Sequence, residues 1–208
     1  MNNPARRSYW LKTLHQWHWI SAALCLVGML LFAATGLTLN NAGLIEAKPD
    51  VSTFRARLPD PLRAALETEA PSHRGARHPL PPDAVRWLDD ALRIDARGKA
   101  AEWSADEIYL SLPRAGGDAW VSLDLASGAV EHEVTDRGWI AYFNDLHKGR
   151  NTGRAWSWFI DLFAVACLVF SLTGLFLLVM HAGRRLATWP MVGLGLAIPC
   201  VLALLFIH

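Results

Sequence analysis

Histidine is the residue type on which chemistry in this chain would turn. His15 and His18 open one long apolar run, His181 closes a second, His147 lies just ahead of that second run, and His208 ends a third. A neutral imidazole is a strong ligand for iron, and ionisable groups at membrane depth are costly enough to point to function. Apolar runs that cross a bilayer in opposite directions bring the histidines of the first and second to one face. His15 and His18 lie three residues apart and share a helical face. Imidazoles from two helices can clamp one haem iron from both sides. His18, one turn deeper than His15, is the preferred partner of His181 on this reading. Gly174 lies about 10 Å deeper than His181 at 1.5 Å per residue, which leaves room for the buried part of a porphyrin. Arg184 and Arg185 stand where propionates would end.

The opposite face has matching parts. His147 and His208 are ligand candidates there, and Lys148, Arg150 and Arg154 beside them are placed to hold propionates or to attract an anionic substrate. Gly36 lies about 27 Å along the helix axis from His18, which reaches that level. A second haem would be ligated by His147 and His208, or would lie across a homodimer interface with His147 from each subunit. One triplet occurs twice, as Thr35-Gly36-Leu37 and Thr173-Gly174-Leu175. Small residues let helix backbones approach closely, or admit a flat ligand. Two rival readings stay open: amphipathic interface histidines with no ligand, and zinc, which needs three or four converging ligands. His73, His78 and His132 are scattered in sequence and read as surface residues. No Gly-x-Ser-x-Gly, His-Glu-x-x-His or dinucleotide-type glycine motif occurs, and Cys25, Cys167 and Cys200 all fall inside apolar runs. No catalytic residue beyond the haem is expected, and electrons must come from another donor.

These side chains need membrane helices to position them. Of the 208 residues only 19% are charged, and the charges avoid three stretches. Trp19–Leu39 and Trp189–Ile207 have none, and Trp156–Met180 has only Asp161. A hydrocarbon core about 30 Å thick takes about 20 helical residues to cross, so each stretch suffices. The first run is too long for a signal-peptide core and is followed by no A-x-A site, so an uncleaved anchor is expected. Arg6, Arg7 and Lys12 precede the first run, and Arg184 and Arg185 lie between the second and third, which predicts both segments to be cytoplasmic. The organisation expected is therefore a cytoplasmic N-terminus and start of helix 1 over 1–18, helix 1 over 19–39, an extracytoplasmic domain over 40–146, helix 2 with its flanks over 147–181, a cytoplasmic turn over 182–188, and helix 3 over 189–208. A net charge of +1 gives no sign of a nucleic-acid partner.

In the middle segment, residues 43–80 are rich in Pro, Arg and Ala with little periodicity, and read as loop with a helical turn or two over Leu62–Glu69. Pro81-Pro82-Asp83 starts a helix with a stripe of Val85, Leu88, Leu92 and Ile94, stopped by Gly98. Three strand-like runs follow, Glu107–Leu112, Ala119–Leu125 and Ala129–Val134, separated by Gly116-Gly117 and Ser127-Gly128. About 55 residues with few large apolar side chains make a marginal unit, which would lean on the membrane, the preceding loop or a second copy. Gly138–Leu146 reads as a short interfacial helix.

The residues resemble a known family. Leu14-His15-Gln16-Trp17-His18-Trp19, followed by Thr35-Gly36-Leu37-Thr38-Leu39-Asn40, looks like the first helix of PepSY-associated transmembrane proteins. Asn144-Asp145-Leu146-His147-Lys148-Gly149-Arg150, followed by Ser171-Leu172-Thr173-Gly174-Leu175, looks like the second. Between them, Trp120–Val130 is similar to the end of a PepSY domain. The resemblance covers roughly 10–40 and 80–187. It implies a bacterial inner-membrane protein, mainly α, with three transmembrane helices and a small α+β PepSY-like periplasmic domain between helices 1 and 2. It further implies likeness to small haem-binding ferric or ferri-siderophore reductases, with His15 or His18, His147 and His181 matching the haem ligands.

The expectation is then a b-type haem oxidoreductase that takes electrons from a cytoplasmic donor and reduces periplasmic ferric iron or a ferri-siderophore. One or two haem b groups per subunit, or one shared in a homodimer, would carry the electrons. The alternatives are a non-enzymatic membrane-anchored binding or regulatory module and a haem-free metal-transport accessory.

Overall fold

The computed structural model describes residues 4–45, 48–181, 183 and 185–207. The chain divides into two units, Met1–Leu31 with Trp158–His208, and Phe32–Ser157. Three helices are long and apolar enough to cross a membrane: α1 (Pro4–Asn40), α5 (Gly153–His181) and α6 (Thr188–Phe206). The elements between α1 and α5 are β1 (Asp50–Arg57), α2 (Asp60–His73), β2 (Arg77–Pro79), α3 (Pro82–Leu92), β3 (Ala100–Trp103), β4 (Glu107–Ser111), β5 (Gly117–Asp124), β6 (Ala129–Asp136) and α4 (Gly138–Lys148). The protein is thus mainly helical, with a sheet region, as a membrane protein of the expected class requires.

In the first unit α1 and α5 meet along small residues. Gly28 lies under the ring of Phe163, so closely that a Cβ there would overlap it. Ser21, buried at that interface, donates its hydroxyl to the carbonyls of Trp17 and His18 at 2.7 and 3.1 Å. That satisfies a polar group without water, as an apolar medium demands. At 37 residues α1 is about 55 Å long, well beyond a hydrocarbon core.

The second unit is built on a six-stranded, wholly antiparallel sheet in the order β1-β6-β5-β4-β3-β2. Strands β4 and β5 alternate: Ile108 and Leu110, then Ala119, Val121 and Leu123, are buried, whereas Trp120, Ser122 and Asp124 lie on the half-exposed face of β5. Against the buried face pack Leu66 and Ala70 of α2 and Ala84 and Leu88 of α3. α3 ends before Gly98, because Arg93 takes the left-handed conformation (φ 57°) and Ile94 folds back to donate its N–H to Leu88. The Arg93 N–H donates to the Asp89 carbonyl at 3.0 Å, the single bond of an αL stop, and the side chain of Ile94 is buried behind it.

The segment read as loop is corrected by the structure. It contains β1, paired along its whole length with β6, and the fourteen-residue α2. β1 is exposed on both faces apart from the half-buried Ala56, so no apolar alternation marks it. α2 buries only Leu66 and the small Ala70, which gives a faint helical stripe. α2 adds Leu66 and Ala70 to the core of β3–β6 and α3, and β1 extends the sheet by its ladder to β6.

Candidate functional site

In the first unit two helices bring His15 and His181 together. Their ring centres are 6.0 Å apart and their planes stand at 89°. Each Nδ1 lies 2.8 Å from the carbonyl four residues earlier on its own helix, Leu11 for His15 and Leu177 for His181. A carbonyl only accepts, so Nδ1 carries the proton and Nε2 keeps its lone pair. Two imidazole nitrogens with their lone pairs left over are, by their chemistry, the kind of donor that an iron or zinc ion takes. Among the described residues no group of three or more His, Cys, Asp or Glu is arranged to hold a metal. An apolar groove of about 420 Å³ runs beside α1 and α5, lined by Trp17, Ile20, Leu24, Leu162, Phe163 and Val169 among others.

His18 occupies a different position from the one preferred on sequence. It is His15 that stands beside His181. His18 turns across to α5, where its Nδ1 lies 3.1 Å from Thr173 Oγ1 and 3.2 Å from the Phe170 carbonyl. Its ring stacks on Phe170 at 4.7 Å and 15°. The space over Gly174 is filled by this ring: a Cβ on Gly174 would sit 3.1 Å from His18 Cε1. In this structure the glycine clears room for the His18 ring.

The second unit repeats the arrangement. His147, in the last turn of α4, has its Nδ1 2.7 Å from Thr35 Oγ1 of α1. Phe32 lies 4.9 Å from the ring, and a Cβ on Gly36 would meet His147 Cε1 at 3.6 Å. One turn away on both helices, Thr38 donates to Asn144 Oδ1 at 2.8 Å. The buried Asp145 accepts the Gly116 N–H at 2.9 Å, which fastens α4 to the β4–β5 turn. Gly116 needs its positive φ of 75° there, and a side chain would strike Tyr142. Thr38 and Asn144 do not stand out as partners in the sequence, although both lie in the segments that carry the family resemblance.

Of the cations expected to meet propionates, Arg150 faces Asp145 at 3.7 Å, whereas Arg154 and Arg185 are exposed. Arg184 and His208 lie outside the described residues, and with them the pairing of His147 with His208. The sheet unit brings together two histidines that are scattered in sequence: His73 and His78 stack at 3.8 Å and 8°, with Trp103 at 5.3 Å from His73. His132 is buried and bonded through Nδ1 to the Trp120 carbonyl at 3.0 Å. On the open face of the sheet, burial and then the charges of Asp118, Glu102, Glu107 and Glu133 raise the Tyr109 phenol above its ordinary value.

A family model described as PepSY_TM-like matches residues 9–208. The match takes in the segment between 40 and 80 and the third apolar helix, both outside the motifs that carry the resemblance in sequence. No curated protein and no solved structure matches the chain.

Proposed function

The chain belongs to the PepSY_TM-like family, and from that premise we propose that it is a b-type haem oxidoreductase that passes electrons across a bacterial inner membrane to ferric iron or a ferri-siderophore. In this reading the N-terminus is cytoplasmic, the sheet unit is the periplasmic PepSY-like domain, and a cytoplasmic protein or small molecule donates the electrons. Haem would supply the one-electron ferric/ferrous chemistry. The protein's part is ligation and environment. His15 and His181 would present Nε2 from two helices, and the own-helix carbonyls of Leu11 and Leu177 would fix their tautomers. His18 and His147 are further ligand positions, and a homodimer would complete a site at His147.

The observation that carries the reading is the His15–His181 pair, 6.0 Å apart with both Nδ1 positions already engaged. The test is the absorption spectrum of protein purified after expression with ample haem. A Soret band that shifts on dithionite reduction, and is lost or altered in His15→Ala and His181→Ala, is the expected result. A colourless protein refutes it. Zinc or copper without haem would favour a metal-transport accessory, and unchanged function with all four of His15, His18, His147 and His181 replaced would favour an anchored binding module.

A further inference from the structure

The surroundings of His18 and His147 are built from one repeated segment. Phe170-Ser171-Leu172-Thr173-Gly174-Leu175 of α5 faces His18, and Phe32-Ala33-Ala34-Thr35-Gly36-Leu37 of α1 faces His147. Both read Phe-x-x-Thr-Gly-Leu. In each the phenyl ring lies against the imidazole, at 4.7 and 4.9 Å. In each the threonine hydroxyl meets Nδ1, at 3.1 and 2.7 Å. In each the glycine gives Cε1 its space, at 3.1 and 3.6 Å from where a Cβ would be. The segments lie on different helices, and each serves a histidine of another helix.

The hydrogen-bond directions follow from the neighbours. Thr173 donates its hydroxyl to the carbonyls of Val169 and Phe170, at 2.7 and 3.0 Å, so its oxygen is left to accept. The Phe170 carbonyl near His18 Nδ1 can only accept as well. Thr35 is placed to donate in the same way to the Phe32 carbonyl at 3.2 Å, which leaves its oxygen to accept from His147 at 2.7 Å. With the threonine protons so directed, both rings carry their proton on Nδ1 and leave Nε2 with a lone pair. A hydrogen bond on the far nitrogen fixes which nitrogen of a histidine ligates, and it orients the ring.

We infer that the two Phe-x-x-Thr-Gly-Leu segments are histidine cradles, in which Thr173 and Thr35 are positioning residues that hold His18 and His147 with Nε2 as the ligating nitrogen. The role as haem ligands rests on the function proposed above; the tautomer does not. The first measurement therefore uses the full-length haem-free protein in lipid nanodiscs, labelled with nitrogen-15 in histidine. The ring nitrogen shifts of His18 and His147 are expected to report the Nδ1–H form. Thr173→Val and Thr35→Val, which keep shape and remove the hydroxyl, should each move only its own histidine toward the Nε2–H form, and Thr→Ser should not. In the second measurement hemin is titrated into the same proteins. The valine variants should bind it about 10–100-fold more weakly, the usual cost of losing such a partner, and the serine variants should recover most of that loss.

Nε2–H rings in the unsubstituted protein overturn the inference whether or not the valine variants fold. Valine variants with unchanged tautomers and unchanged hemin affinity overturn it too. Cradled Nδ1–H tautomers in a protein that takes up no hemin would sustain the cradles and refute the haem reading.

Discussion

Gly174 and Gly36 occupy the same place in the same motif, yet the structure predicts different outcomes for alanine. In a helix interior, replacing glycine by alanine gains about 1 kcal/mol from backbone entropy alone. At Gly36 the new methyl would lie 3.6 Å from His147 Cε1, an ordinary contact, so Gly36→Ala should be neutral or stabilising by up to about 1 kcal/mol. At Gly174 the methyl would lie 3.1 Å from His18 Cε1. The ring cannot retreat freely, because Phe170 is stacked against it and Nδ1 is bonded to Thr173 and to the Phe170 carbonyl. Overpacking of this kind costs about 1–3 kcal/mol. A ring that swings away instead forfeits its hydrogen bonds at about 0.5–1.5 kcal/mol each. Against the gain of about 1 kcal/mol, Gly174→Ala should range from neutral to destabilising by about 2 kcal/mol, and the overpacking cost remains as the difference from Gly36→Ala. The two variants should then differ by roughly 2 kcal/mol, a factor of about 30 in the unfolding equilibrium. Reversible unfolding in mixed micelles, followed by tryptophan fluorescence, measures the difference. Equal stabilities, or Gly174→Ala as the more stable variant, would refute the packing described for His18.

Three other outcomes follow from the sheet unit. Leu88→Ala removes a fully buried side chain from the α3–sheet core and should cost about 2–5 kcal/mol in thermal or denaturant unfolding. Asp145→Ala leaves the Gly116 N–H without its acceptor and should cost about 1–3 kcal/mol; hydrogen exchange at the Gly116 amide should speed up with it. Asp124 accepts the N–H and hydroxyl of Ser127 at 2.7 and 2.8 Å, and these bonds hold its carboxyl below the ordinary value. A lowered carboxyl pKa adds stability that is complete above the unfolded value of about 3.9 and is lost as pH falls through the folded value. Acid unfolding of Asp124→Asn should therefore have a shallower pH dependence below about pH 4 than the parent protein; an unchanged acid limb would contradict the Ser127 contacts.

Local sequence by itself dictates the elements whose own residues must satisfy a simple physical demand. Three uncharged or nearly uncharged runs can only be satisfied as helices in an apolar medium, because every backbone group must then bond within its own segment. β4 and β5 are legible because one face is buried and the period of two is clean. β1 is not, because an edge strand exposed on both faces is held by its ladder to β6 and not by its side chains. The histidines and the doubled Thr-Gly-Leu triplet are likewise visible in the sequence, with helix packing and a flat ligand as the two explanations. Only the tertiary structure decides what the glycines make room for, since that depends on how α1 and α4 or α1 and α5 are rotated about their axes. A three-residue step turns a side chain about 60° around a helix. That turn sends His18 across to Thr173 and leaves His15 beside His181. Spacing fixes which residues share a stripe, and the rotation of two packed helices fixes which member of the stripe meets its partner.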